Sequence, residues 1–366
     1  MNKMLSNIQQ YGNEIKLCIS TVILTATLFG CKKDNPIPSN TSTAVSYSNG
    51  VFVSCEGPFG SGTGTVSFYN RSSGIVTNDI FQTANGFPLG NIVQSVAIYN
   101  GKGYIAVNNA AKVEVVDATD FKSRGTITGL TNPRYFLGIS SSKGYLTEWG
   151  SSTSSIKVIN LATNLVSTSI NTANGAESMV KLNNKVYVTC NGGYGKDSVV
   201  MVINTLTDAV IDTIVVGPNP DDIQVDANGN LWVLCSGQWN SSFTALDQTG
   251  KLVRIDTTTN TANLSLSFSS TSSQPANLTM NTAKDKMYFT YQGSVYTHAI
   301  SSSTLNSTAY IGRSFYGLGL DPVTDYLFAT DPGNYVSNGK VIRYNTTATK
   351  IDSFTVGIIP GGLTFK

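Results

Sequence analysis

Charge is scarce in this chain of 366 residues. Only 13% of positions are Asp, Glu, Lys or Arg, against about 25% in an ordinary soluble protein. Ser, Thr, Asn and Gly take their place. The formal net charge is +2, so no basic field points to nucleic acid. Histidine is scarcer still: His298 is the single copy. That removes most histidine-dependent mechanisms, Ser-His-Asp hydrolysis and His-ligated zinc among them. There are five cysteines. Cys18 and Cys31 fall near the start, which leaves Cys55, Cys190 and Cys235, an odd number and no disulfide scaffold. No helical period is visible beyond residue 30, and the glycine-rich GPFGSGTGTV (57–66) lacks the Lys-Ser/Thr and following helix of a phosphate loop.

What is present begins with a leader. Lys3 and Lys16 precede an uncharged, mostly apolar stretch, 17–29. As a helix it would span about 20 Å, short of a bilayer core of about 30 Å. This is the form of a secretory signal, expected over 1–30. It ends Leu28-Phe29-Gly30-Cys31, which resembles a lipobox, and the resemblance implies a lipid on Cys31. KKDNPIPSNTSTAV (32–45) is polar and carries two prolines. With Cys31 it is expected to form a flexible tether over 31–45.

From about residue 46 one unit returns seven times. GVFVSCEG, VYVTCNGG, NLWVLCSG and KMYFTYQG are copies of one strand running into a glycine turn. Aligned on Phe52, Tyr104, Tyr145, Tyr187, Trp232, Tyr288 and Leu327, the intervals are 52, 41, 42, 45, 56 and 39 residues. A second strand follows each copy (TVSFYN, KVEVVD, SIKVIN, VVMVIN, KLVRID, SVYTHA, KVIRYN). Six of these seven end in Asp or Asn, residues that start tight turns by bonding the backbone two residues on. With an apolar strand before and another after, each unit is four antiparallel strands, the blade of a β-propeller. The first unit lacks an inner strand, and the terminal PGGLTFK (360–366) matches that missing pattern. The fold expected over 46–366 is therefore all-β: a seven-bladed propeller, closed when the C-terminal strand completes blade one. Two independent sheets and a β-helix are the alternatives. The aromatic positions are expected to be core.

The YVTCN repeat resembles the YVTN-type propeller repeat, over about residues 46–366. Together with the lipobox, it is similar to YncE-like surface lipoproteins of Bacteroidetes type. Lys32, Lys33 and Asp34 are similar to the export tags of such proteins. The resemblance implies an outer-membrane, lipid-anchored protein exposed at the cell surface. Some members of that class capture vitamin B12 and pass it to a TonB-dependent receptor. Fold alone does not fix a ligand.

In a propeller the inner strands begin, and the second strands end, on one face around the central channel. The alignment thus names two rings. The inner-strand starts are Gln94, Tyr135, Glu177, Asp222, Asn277, Gly317 and Gly362. The second-strand ends are Glu56, Asn108, Trp149, Asn191, Ser236, Gln292 and Asp331. Loops of the same face add Phe59, Phe87, Arg134, Tyr194, Gln238, Trp239, Phe315, Tyr316 and Tyr335. This mixture of aromatic, amide and carboxylate groups suits a large ligand edged with amides, such as a corrinoid; a sugar or siderophore also fits. Trp149 and Trp239 are the leading contacts, Trp239 from the blade-five insert 236–250. His298 falls in register with strand-interior residues and is expected to be packed, not a base.

The expected activity is capture and handover, with no covalent chemistry, cofactor or metal required and a small-molecule ligand, possibly cobalamin, bound on the funnel face. A non-catalytic coat or adhesion propeller is the first alternative. A calcium-assisted hydrolase or lyase is the second; it would draw on converging oxygens from Glu56, Asn108, Asn191 and Asp331.

Overall fold

The computed structural model describes residues 46–150 and 153–366; the leader, Cys31 and the tether lie outside the described residues. Seven antiparallel sheets follow one another along the chain. Blade one holds Gly50–Cys55, Thr65–Asn70 and Val76–Thr77, with Pro360–Phe365 as its inner strand. Blade two runs Val93–Tyr99, Lys102–Val107, Lys112–Asp117 and Ser123–Ile127; blade three Asn132–Ser140, Lys143–Trp149, Ser154–Asn160 and Leu165–Thr172. Blade four is Ala176–Leu182, Lys185–Cys190, Val199–Asn204 and Ala209–Val215; blade five Pro220–Val225, Leu231–Cys235, Lys251–Asp256 and Thr261–Ser267. Blade six has Ala276–Met280, Lys286–Tyr291 and Ser294–Ala299, and blade seven Gly317–Leu320, Leu327–Asp331, Asn338–Tyr344 and Lys350–Ile358. Each inner strand touches the next around the ring, including the terminal strand against those of blades two and seven. The closure is hydrogen-bonded in register, Val51 opposite Phe365 and Val53 opposite Leu363.

Seven hydrophobic clusters fill the gaps between blades, one per gap. Strand alternation explains them, since every second residue of a second strand faces the following blade. Phe52, Tyr104, Tyr145, Tyr187, Trp232 and Tyr288 are all buried there. Their polar tips bond outward: the Tyr187 hydroxyl donates to Asn260 Oδ1 at 2.9 Å and the Trp232 indole to Asp226 Oδ2 at 3.0 Å. The ladders correct the alignment in blade seven. Phe328, not Leu327, pairs with Arg343 as Tyr187 pairs with Val202. Phe328 faces blade one, while Leu327 faces blade six. All seven positions are therefore aromatic.

The turn residues behave as their chemistry dictates. Asn70, Asp117, Asn160, Asn204, Asp256 and Asn345 each accept a backbone N–H from two residues on. Two features depart from the repeat. A helix of six residues, Ile80–Asn85, buries Ile80 and Phe81 between blades one and two; it is too short to carry a period. Blade six has three strands. The place of its fourth is taken by an irregular segment that touches it through one bridge, Val295 to Ile311.

Cys55, Cys190 and Cys235 are buried free thiols. Burial pushes Cys55 and Cys235 up to about 12, so they are inert thiols in the core. Among the described residues no helix is long and apolar enough to cross a membrane.

Candidate functional site

The mouth of the channel is built by bulges. In blades two to six the inner strand loses register with its neighbour near its start. The residues set free by those shifts are Gln94, Arg134, Tyr135, Glu177, Ser178, Asp221, Asn277 and Leu278. A bulge re-aims side chains and leaves backbone unpaired. Here hydroxyls from the second strands take up that backbone. Thr147 Oγ1 accepts from Tyr135 N at 3.0 Å, and Thr189 Oγ1 accepts from Ser178 N at 3.1 Å. Thr290 Oγ1 donates to Ala276 O at 3.1 Å. Ser54 does the same service for Gly362 N at 3.1 Å. Each hydroxyl stands two residues after the aromatic of its strand, a signal present in YVT, YLT and YFT that the alignment above did not use.

Arg134 organises one side of the mouth. Its guanidinium forks onto Glu177, with Nε 2.9 Å from Oε2 and Nη2 2.5 Å from Oε1. Nη1 donates to Gln94 Oε1 at 2.6 Å. The guanidinium lies 4.1 Å from the Trp149 ring centre, and Trp149 meets Tyr194 edge-on at 5.6 Å. Such a bidentate, stacked arrangement is specific to arginine. The Trp149 indole N–H, close to Glu177, reaches no hydrogen-bond partner among the described residues.

Behind this pair the channel opens into a cavity of about 650 Å³. Glu56, Gln94, Tyr135, Asp222, Asn277 and Tyr316 line it, with Gly361 and Gly362. Glycine at 362 is a packing requirement: a Cβ there would come within 2.4 Å of Ser54 Oγ. Tyr316 donates its hydroxyl to Glu56 Oε1 at 3.0 Å. The Asp222 carboxylate accepts Leu278 N at 2.9 Å. Asp221, which the ring alignment missed, accepts from the Asn191 amide at 3.0 Å. Electrostatically the site is acidic. Glu56, Glu177, Asp221 and Asp222 face one guanidinium. Burial pushes Glu177 up to about 7 against the pull of Arg134. Burial, reinforced by Asp221, pushes Asp222 up to about 7. Burial also raises Glu56. Among the described residues no group of three or more His, Cys, Asp or Glu could hold a metal ion.

A family model described as a domain of unknown function, DUF5074, matches residues 49–357. The chain belongs to that family. No curated protein matches it in sequence. Among solved structures, a quinonprotein alcohol dehydrogenase-like protein of Bacteroides thetaiotaomicron superposes with a TM-score of 0.66 at 15% identity, over 87% of this chain and 79% of that one. A protein of Lactobacillus plantarum gives 0.64 at 11% identity, over 87% and 100%. A Bacteroides fragilis protein provisionally assigned as a 6-phosphogluconolactonase gives 0.61 at 11%, over 90% and 100%. At these identities the likeness is one of fold.

The remaining mouth candidates of this DUF5074 propeller are distributed unevenly. Asn108 donates to Pro133 O at 3.2 Å. Trp239 and Gln238 form a two-stranded ribbon with Leu246–Gln248 in the blade-five insert, and the Trp239 indole donates to Gln274 Oε1 at 2.9 Å. Asp331 pairs with Arg313. Gln292 borders a separate cavity of about 280 Å³ in blade six. Two expectations need correction. Phe315 is buried in the core between blades six and seven, against Tyr344. Phe87 follows the short helix and packs edge-on against Phe81, away from the channel lining. Both follow segments that depart from the repeat, so register could not place them. Exposed aromatics do rim the mouth face on long loops: Phe59, Tyr194, Phe243 and Tyr335, with Tyr316 inside them.

Proposed function

We propose that this propeller is a non-covalent capture protein that holds a neutral, amide-edged ligand across its channel mouth. Cobalamin is the favoured ligand. The observation that carries the reading is the preformed cavity of about 650 Å³ on the axis, lined by fixed acceptors and rimmed by aromatic loops. Ligand sites are usually preformed concavities of this order, with a few placed polar groups. Carboxylates and amide oxygens at the mouth accept from amide N–H groups. The same carboxylates oppose anions such as haem propionates or phosphates. The one guanidinium is already committed to Glu177 and Gln94. Exposed rings offer flat apolar cover for the face of a macrocycle. The ligand would span the mouth with one edge in the cavity. By resemblance to lipid-anchored surface propellers, Cys31 would tether the ring to the outer membrane, and a TonB-dependent receptor would receive the ligand.

Calorimetric titration with cyanocobalamin, beside a haem, a siderophore and an oligosaccharide, tests this reading. One-to-one corrinoid binding supports it. Heat from haem alone contradicts the electrostatic argument, and silence from all four removes the capture role.

A further inference from the structure

The lone histidine lies far from the mouth, in the blade that lacks its outer strand. In the other six blades the equivalent third-strand residues are apolar or aromatic and are covered by a fourth strand. Ile203 pairs with Val210, for example, and Ile255 with Ala262. His298 pairs with Met287 on one side and has no fourth-strand partner. It is nevertheless 2% exposed. Neither ring nitrogen has a hydrogen-bond partner among the described residues; the Ser302 backbone beside it does not reach hydrogen-bond geometry. One flank of the ring packs edge-on against Trp232 at 5.2 Å. The imidazole also borders a cavity of about 400 Å³ that fills the vacated strand position. The half of that position next to Val295 is occupied by the Tyr310–Ile311 backbone.

Leaving two buried polar atoms unsatisfied costs about 1–3 kcal/mol each. Burial lowers the pKa of the ring and so favours its neutral form. A neutral imidazole has one donor and one acceptor nitrogen. A hydroxyl group can answer either nitrogen, whereas a carboxylate or phosphate oxygen answers only the donor. The other polar groups at the cavity are hydroxyls and an amide, from Thr297, Ser302, Asn306 and Ser307, with Lys286 the one charged group. The volume is that of a small-molecule site and exceeds the needs of a single water. We infer that the vacated half-strand of blade six binds a neutral polyhydroxylated ligand of the sugar or polyol class, anchored on His298.

A single histidine makes the test direct. In untagged protein the imidazole Cε1–H gives one NMR resonance, which can be followed during titration with glucose, galactose and myo-inositol, with phosphate and acetate as anionic probes. The expected result is a saturable shift with at least one of the three polyols and none with the anions. Asn306→Ala and Ser307→Ala should each weaken that binding about fivefold, the worth of one hydrogen bond, while the free resonance stays in place. Tyr316→Ala, at the distant mouth, should leave the isotherm unchanged. No saturable shift with any polyol would overturn the site. A shift with phosphate or acetate instead would overturn the ligand class. Loss of the shift in Tyr316→Ala would show that the sugar binds at the mouth.

Discussion

At the outer turns of the blades the same bonds recur around the ring, whereas at the mouth no two blades agree. Six of the third strands close with an Asx turn of one geometry. The corresponding mouth positions read Glu56, Asn108, Trp149, Asn191, Ser236, Gln292 and Asp331. Both ends belong to the same strands and share the same ladders. The repeated end performs one task seven times, which is to hold blades together. The varied end is free of that task, and there carboxylates, amides and an arginine converge on a single cavity. Blade six repeats the contrast within one blade: its second strand keeps the aromatic at Tyr288, while its missing outer strand leaves room beside His298.

The contrast can be broken hardest at the repeated end. Tyr187→Ala removes a fully buried ring between blades four and five, and should cost about 3–5 kcal/mol in urea unfolding. A loss under about 1 kcal/mol would mean that the aromatic series does not hold the blades.

At the mouth, Glu177→Gln leaves the Arg134 charge without its counter-ion. Side-chain exposures of 15% and 4% make this a largely desolvated pair. A destabilisation of about 3 kcal/mol is expected, much of it recovered when Arg134→Met is added. If the double variant is no more stable than Glu177→Gln alone, the two residues are not coupled.

A smaller effect is set by pH. Asp222 has a folded pKa of about 7, above the unfolded value of about 4. Between those values the folded state binds more protons than the unfolded state, so this group makes stability fall as pH rises. Asp222→Asn should flatten the decline between roughly pH 4 and pH 7. A slope identical to that of the native protein would show that Asp222 titrates normally. The least effect is expected from Asn204→Ala, about 1 kcal/mol for one turn hydrogen bond at a half-exposed site.

Much of this architecture is legible in the sequence because a propeller repeats its instructions. Seven returns of one strand, a turn residue at a fixed offset and a terminal strand that completes the first blade all depend on local pattern. Leu327 illustrates the limit of that reading. Two apolar residues stand side by side at 327 and 328, and only the ladder decides which faces blade one. The Arg134–Glu177 pair was less accessible still. Both residues were named for the mouth, but their contact spans 43 positions and depends on bulges in two blades. Asp221 was missed for the same reason, since a bulge brings an off-register residue to the site. The helix at 80–85 and the irregular segment of blade six break the repeat, and with them went the placement of Phe87 and Phe315.

The central claim is that the acidic, tyrosine-rimmed mouth is where ligand is held. Its most direct test is the affinity for cyanocobalamin of Tyr316→Ala beside the native protein, with thermal unfolding recorded on the same samples. Tyr316 is 38% exposed and lines the cavity. Our account predicts binding weaker by about tenfold with an unchanged unfolding temperature; equal affinity in the two proteins would contradict it.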